Sequence, residues 1–180
     1  MSVDQKKLKA VIKEGGKRGV EIIGVAEMGG LEFFCTKVEE PEGDVELTVE
    51  SMNAMNKEID PNDEESKGGS GSVGKMIFST SNSNLAVVAY VPTDKQDKIN
   101  AKDWLSEIIT PYEGEVIEGN ATLAKGLIKA DVDKGRFTLK VRDEALSNSI
   151  AYLRARKLFP EQEDDSDDDF VMGDDDLGDL

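Results

Sequence analysis

The sequence predicts an α+β fold. It is a two-layer arrangement in which an antiparallel or mixed sheet, built of repeated ββα units, carries its helices on one face. Three observations lead there. Apolar runs of strand length alternate with stretches whose apolar residues recur at helical spacing. Short turns rich in Asn, Ser, Gly and Asp join the strands in pairs. The order strand, turn, strand, loop, helix recurs three times, so three amphipathic helices can cover one face of a six-stranded sheet.

Residues 1–19 read as a basic N-terminal helix. Leu8, Val11 and Ile12 are apolar among Lys6, Lys7, Lys9 and Lys13, and Gly15-Gly16 is a helix stop. Lys17 and Arg18 extend the basic run. Such a segment either packs on the domain edge as a solvated amphipathic helix or contacts nucleic acid or an acidic segment. Residues 20–157 then read as a single α+β domain. In its first unit Val20 to Val25 and Leu31 to Val38 form a hairpin around Met28-Gly29-Gly30, and Val45, Val49, Met52 and Met55 stripe a helix. Residues 59–72 are Gly, Ser and acid-rich, a flexible internal loop rather than a domain boundary, because one hairpin with one helix buries no core.

Gly69 to Met76 matches the phosphate-binding loop G-x-x-x-x-G-K up to its last position. There Met76 stands where a hydroxyl should hold magnesium, and a strand rather than a helix follows. A helix N-terminus facing the phosphates is therefore missing, and a linker is the better reading.

The central unit is the densest. Met76 to Phe78 opens a strand, Asn82-Ser83-Asn84 turns the chain, and Leu85 to Val91 is a continuous apolar run that reads as a strand buried on both faces. Pro92 ends it. Asn100 caps a helix striped by Ala101, Trp104, Leu105, Ile108 and Ile109. Trp104, Leu105, Ile108, Val87, Val88, Phe34 and Leu146 are the expected core. A short strand at Glu115 to Ile117 precedes the third unit. That unit has strands at Thr122 to Val132 and Arg136 to Val141 about the turn Asp133-Lys134-Gly135, and a helix striped by Ala145, Leu146, Ile150 and Leu153.

Composition narrows the chemistry. With no histidine and one cysteine, histidine-dependent nucleophilic systems and imidazole or thiolate zinc sites are excluded. Cys35, in an apolar strand, reads as a small buried hydrophobe, and a reducing, cytoplasmic setting is expected. No stretch is apolar enough to span a bilayer. No enzyme activity and no cofactor are expected. The net charge is −16, and residues 161–180 hold 11 of the 38 acids and no base. Residues 158–180 therefore read as a disordered acidic tail, dispensable for folding. Phe170, Val171, Met172 and Leu177 interrupt its acids, an alternation typical of interaction segments. Asp167, Asp168, Asp169, Phe170 and Leu177 are the candidate partner-binding residues of that tail. An EF-hand loop fails there, because Phe170 stands where a glycine is needed.

Further residues carry a family resemblance. The apolar strand ending at Val91-Pro92 leads to a helix containing Lys102 and Trp104. Gly114, Gly119, Ala121, Thr122, Ala124 and Gly126 make a loop and segment of small residues, and Glu144-Ala145-Leu146 through Ala151-Tyr152-Leu153-Arg154 makes a last helix. Over residues 20–157 this resembles the C-terminal accessory domain of alanyl-tRNA synthetase, also appended to DHH-type phosphoesterases. Glu113, Glu115 and Glu118 depart from the family's glycine cluster, which bears on ligand contact there.

The resemblance implies a free-standing, non-catalytic RNA-binding module that takes tRNA or another structured RNA, with the acidic tail modulating binding. Candidate phosphate contacts are Lys125, Lys129, Lys134, Arg136, Lys140, Arg142, Arg154, Arg156 and Lys157. The alternative is a protein-interaction adaptor whose tail docks on a basic protein partner.

Overall fold

The computed structural model describes residues 5–57 and 69–158. In chain order they form α1 (Gln5–Gly29), β1 (Phe33–Lys37), α2 (Val45–Asn56), β2 (Gly74–Thr80), β3 (Asn84–Tyr90), α3 (Ala101–Ile109), β4 (Glu115–Gly119), β5 (Leu123–Lys129) and α4 (Thr138–Ala155), with three short 3-10 turns between. The fold is α+β on a mixed five-stranded sheet of order β1-β2-β3-β5-β4. β1 pairs in parallel with β2, and every other pairing is antiparallel. The expectations for residues 158–180 lie outside the described residues except at Leu158, and most of the 59–72 loop does too.

The helices lie on both faces of the sheet, not on one. Alternation along β2 and β3 shows why. Met76, Phe78, Val87 and Ala89 point into a core shared with α3 and α4, while Ile77 and Val88, between them, point to α1 and α2. A strand apolar at every position needs cover on each side, and the run from Leu85 to Val91 carries that demand. Of the expected core, Trp104, Leu105, Ile108, Val87 and Val88 are buried; Phe34 and Leu146 are half-buried against it.

Two further expectations are corrected. Val20 to Val25 is not a strand, and Gly15-Gly16 does not stop the first helix: α1 runs on to Gly29. Val11, Gly15, Gly19, Ile22 and Ala26 form one buried stripe at helical spacing. A Cβ on Gly15 would fall inside the carbonyl oxygen of Ser51 and 3.0 Å from the Cβ of Ala54. Gly15 lets α1 and α2 approach closely, and packing outweighs its poor helix propensity. Likewise Arg136 to Val141 is no strand, since α4 starts at Thr138, whose hydroxyl donates to the Ser81 carbonyl at 2.7 Å. The three repeated ββα units are thus not found: β2-β3-α3 keeps its expected strands and helix, but the pair before α4 is β4-β5 rather than a hairpin of 122–132 with 136–141. The first unit is a helix, a strand and a helix instead.

Other elements follow the sequence closely. Asp44 caps α2 by accepting from the Leu47 amide at 3.0 Å, and Asn100 caps α3 by accepting from the Asp103 amide at 2.8 Å. Cys35 is buried. Its thiol is pushed up to about 12 by burial, and the Ser149 hydroxyl lies 3.0 Å from its sulfur.

The loop that imitates a phosphate cradle is closed by its own lysine. Lys75 is fully buried. Its ammonium donates to the carbonyls of Ser70 and Val73, each at 2.8 Å, and to the Asn56 side chain, and it lies 4.7 Å from the centre of the Tyr90 ring. All three N–H groups are therefore occupied, at the C-terminal end of α2, where a cation is favoured by the helix dipole. Nothing is left to bind a phosphate.

Burial still holds the Lys75 ammonium well below the usual lysine range. Because the folded value lies under the unfolded one, the unfolded chain keeps its proton to higher pH. This group's contribution to stability therefore rises with pH between the two values and levels off above the ordinary 10.5. The stability difference between the native chain and Lys75→Met, followed by denaturant titration towards pH 10.5, is expected to move in favour of the native chain. A pH-independent difference would contradict this.

Candidate nucleic-acid interface

The nine expected phosphate contacts do not form one free basic face. Lys125, on β5, pairs with Glu46 at 2.6 Å and Glu118 at 3.4 Å, and these carboxylates raise its proton affinity. Lys134 and Arg136 share Glu113, at 2.9 and 3.5 Å. That pairing, led by the Lys134 hydrogen bond, holds the Glu113 carboxyl below its ordinary value. Arg142 pairs with Asp143 at 3.0 Å. Arg156 lies 3.5 Å from the centre of the Tyr152 ring and donates to the Tyr152 carbonyl at 3.2 Å. Arg154 is half-buried on the last turn of α4 and also has a partner. Lys129, Lys140 and Lys157 are exposed and make no ion pair with the described residues, but they stand on β5, at the start of α4 and beyond its end.

Nor do the small residues of the resemblance form an open cradle. A Cβ on Gly126 would come 2.7 Å from Ile109 and 3.0 Å from the Glu115 carbonyl; one on Gly114 would come 2.7 Å from the Ile109 Cβ. Both glycines seat α3 against β4 and β5. Gly119 likewise packs on Ala124 and Lys102.

Aligned unpaired charge stands on α1. Lys9, Lys13 and Lys17 are exposed, make no ion pair with the described residues, and are spaced i, i+4, i+8, which places them on one line along the helix. From Lys9 to Lys17 this line covers about 12 Å at the helical rise of ~1.5 Å per residue. The opposite side of α1 is the buried stripe of Val11, Gly15 and Gly19, with Gly15 against α2, so the lysines are held outward by a packed helix.

Beside them a groove of about 600 Å³ is lined by Lys13, Lys17, Arg18, Glu14, Glu21 and Glu40. Glu14 is committed to structure: its two oxygens accept the amides of Glu39 and Glu40 at 2.8 and 3.0 Å. Arg18 reaches Glu21 at 3.3 Å, and its Nε is buried without a partner. The sequence signal for this arrangement is the lysine spacing. It is obscured by the apparent helix stop at Gly15-Gly16, which cuts the stripe before Lys17.

Among the described residues no helix is long and apolar enough to cross a membrane. The fold is thus an α+β domain that presents an unpaired lysine stripe on one helix. No protein-family model matches the chain, and no curated protein matches it. Among solved structures the chain is similar to the crystal structure of the C-Ala domain from Aquifex aeolicus alanyl-tRNA synthetase. The two are 23% identical, the match covers 64% of this chain and 90% of that one, and the TM-score is 0.38.

Proposed function

We propose that this protein is a non-catalytic RNA-binding accessory module that engages the phosphate backbone through Lys9, Lys13 and Lys17 of α1. The observation that carries this reading is the line of three exposed ammonium groups without carboxylate partners among the described residues, on a helix fixed by its opposite face. Cations already paired with carboxylates must give up those pairs to bind phosphate; these need not. The family resemblance of residues 20–157 makes tRNA the ligand to try first. The 11 acids of residues 161–180 oppose binding by charge, most strongly at low salt, since screening acts beyond about 10 Å at 0.1 M.

The test is fluorescence anisotropy with labelled tRNA at a series of salt concentrations. Replacing Lys9, Lys13 and Lys17 together by Glu is expected to weaken binding at least about tenfold at low salt. Replacing them by Gln is expected to flatten the log–log salt slope by about 2 to 3, at ~0.7–0.9 for each phosphate that is no longer neutralised. Lys125→Gln with Lys134→Gln is expected to change the slope little, because those groups face Glu46 and Glu113. A native chain that binds no tRNA at low salt would end the RNA reading. The acidic residues 161–180 would then favour an adaptor that docks on a basic protein.

A further inference from the structure

At the start of α4 three large apolar side chains stand in solvent: Val132 is 70% exposed, Phe137 51% and Leu139 59%. They line one pocket of about 330 Å³ with Thr80 and Asn82 from the β2–β3 turn. Large apolar residues gathered about one concavity mark an interaction site rather than scattered surface. The surrounding charge says what kind of segment fits. Phe137 supplies no side-chain cap to α4, and the first turn holds no carboxylate but does hold Lys140. This inverts the usual preference for acids at a helix start. Lys140 is exposed and lacks an ion pair with the described residues, Lys134 and Arg136 are occupied by Glu113, and Asp131 and Asp133 stand on the far side of the pocket beside Val132. The pocket therefore suits an apolar segment flanked by acids.

The chain contains one. Phe170-Val171-Met172 is bracketed by Asp167 to Asp169 and Asp174 to Asp176. We propose that Phe170-Val171-Met172 docks in the pocket of Val132, Phe137 and Leu139, with the flanking aspartates against Lys140 and the uncapped start of α4. The chain is long enough. Leu158 follows the far end of α4, whose 18 residues span about 27 Å at ~1.5 Å each. The stretch from Leu158 to Phe170 reaches about 40 Å when extended, at ~3.3 Å per residue.

The test is a photo-crosslinking benzophenone amino acid at Phe170 in the full chain, read by mass spectrometry at high dilution. Crosslinks are expected to concentrate at residues 130–139. They should fall to background when Val132, Phe137 and Leu139 are all replaced by Ser, a variant whose circular dichroism and Tm show that the fold is kept. Because those residues are exposed, the replacement leaves the buried cores alone. Crosslinks concentrated elsewhere, or none at all, overturn the proposal. So do crosslinks that join two differently tagged chains, which would give the pocket to a second copy. No RNA enters this assay, so its failure leaves the tRNA measurement standing, and the reverse holds too.

Discussion

Trp104→Ala is expected to destabilise the domain by about 3–5 kcal/mol, the usual cost of truncating a large aromatic side chain in a core. Trp104 is fully buried on α3 and meets Phe33 of β1 edge to face, with ring centres 6.0 Å apart. The indole therefore ties a helix to the parallel edge of the sheet, and its loss opens a cavity bounded by strand and helix backbones that cannot readily collapse. For a domain of this size the cost corresponds to a Tm lower by roughly 10 °C. Trp104→Phe should cost far less. The indole Nε1 is buried without a hydrogen-bond partner, so removing it also removes an unsatisfied donor. Thermal unfolding of both variants checks this. A loss for Phe as large as that for Ala would contradict this.

Gly15→Val is expected to cost about 1–3 kcal/mol by overpacking, with more if α1 cannot shift. The new Cβ would meet backbone, the Ser51 carbonyl oxygen, and would lie 3.0 Å from both the Ser51 hydroxyl and the Ala54 Cβ. A flexible side chain could step aside; a helix backbone cannot. Relief requires moving α1 off α2, which uncovers Ile77 and Val88 on that face of the sheet. Gly24→Ala is the matched control. No atom lies within 4 Å of a Cβ there, so the substitution should stabilise through helix propensity alone. Urea titration of the pair decides it. A Gly15 variant as stable as the native chain would mean that the two helices are not in close contact.

The sequence is most legible where local signals agree. Asn100 as a cap, the apolar run of β3 and the stripe of α3 all stand where spacing places them. It misleads where a segment's local grammar and its packing conflict. Val20 to Val25 is β-branched and strand-like by propensity, yet it is helical because Ile22 and Ala26 continue the stripe begun by Val11. Arg136 to Val141 alternates like a strand, but Thr138 fastens the chain to Ser81 and starts a helix there. The two-sided cover of the sheet is implicit in Leu85 to Val91, but the helix stripes alone do not say which face each helix covers. The candidate site is less legible still. Counting lysines does not reveal which of them, such as Lys125 and Lys134, already face a carboxylate, because those partners come from distant parts of the chain.

The glycines of α1 also determine how firmly that helix is held. Five of its residues are Gly: Gly15, Gly16, Gly19, Gly24 and Gly29. Each costs roughly 1 kcal/mol against Ala in a helix interior, so α1 detached from α2 is mostly coil. Helix formation and docking then become one event, so any opening of α1 involves the whole helix. A ligand that needs the lysines in line binds only the closed form, and its apparent affinity is scaled by the closed fraction. Occupancy of the stripe would in turn slow amide exchange along all of α1, including Ile22 and Ala26 on the side that no ligand touches.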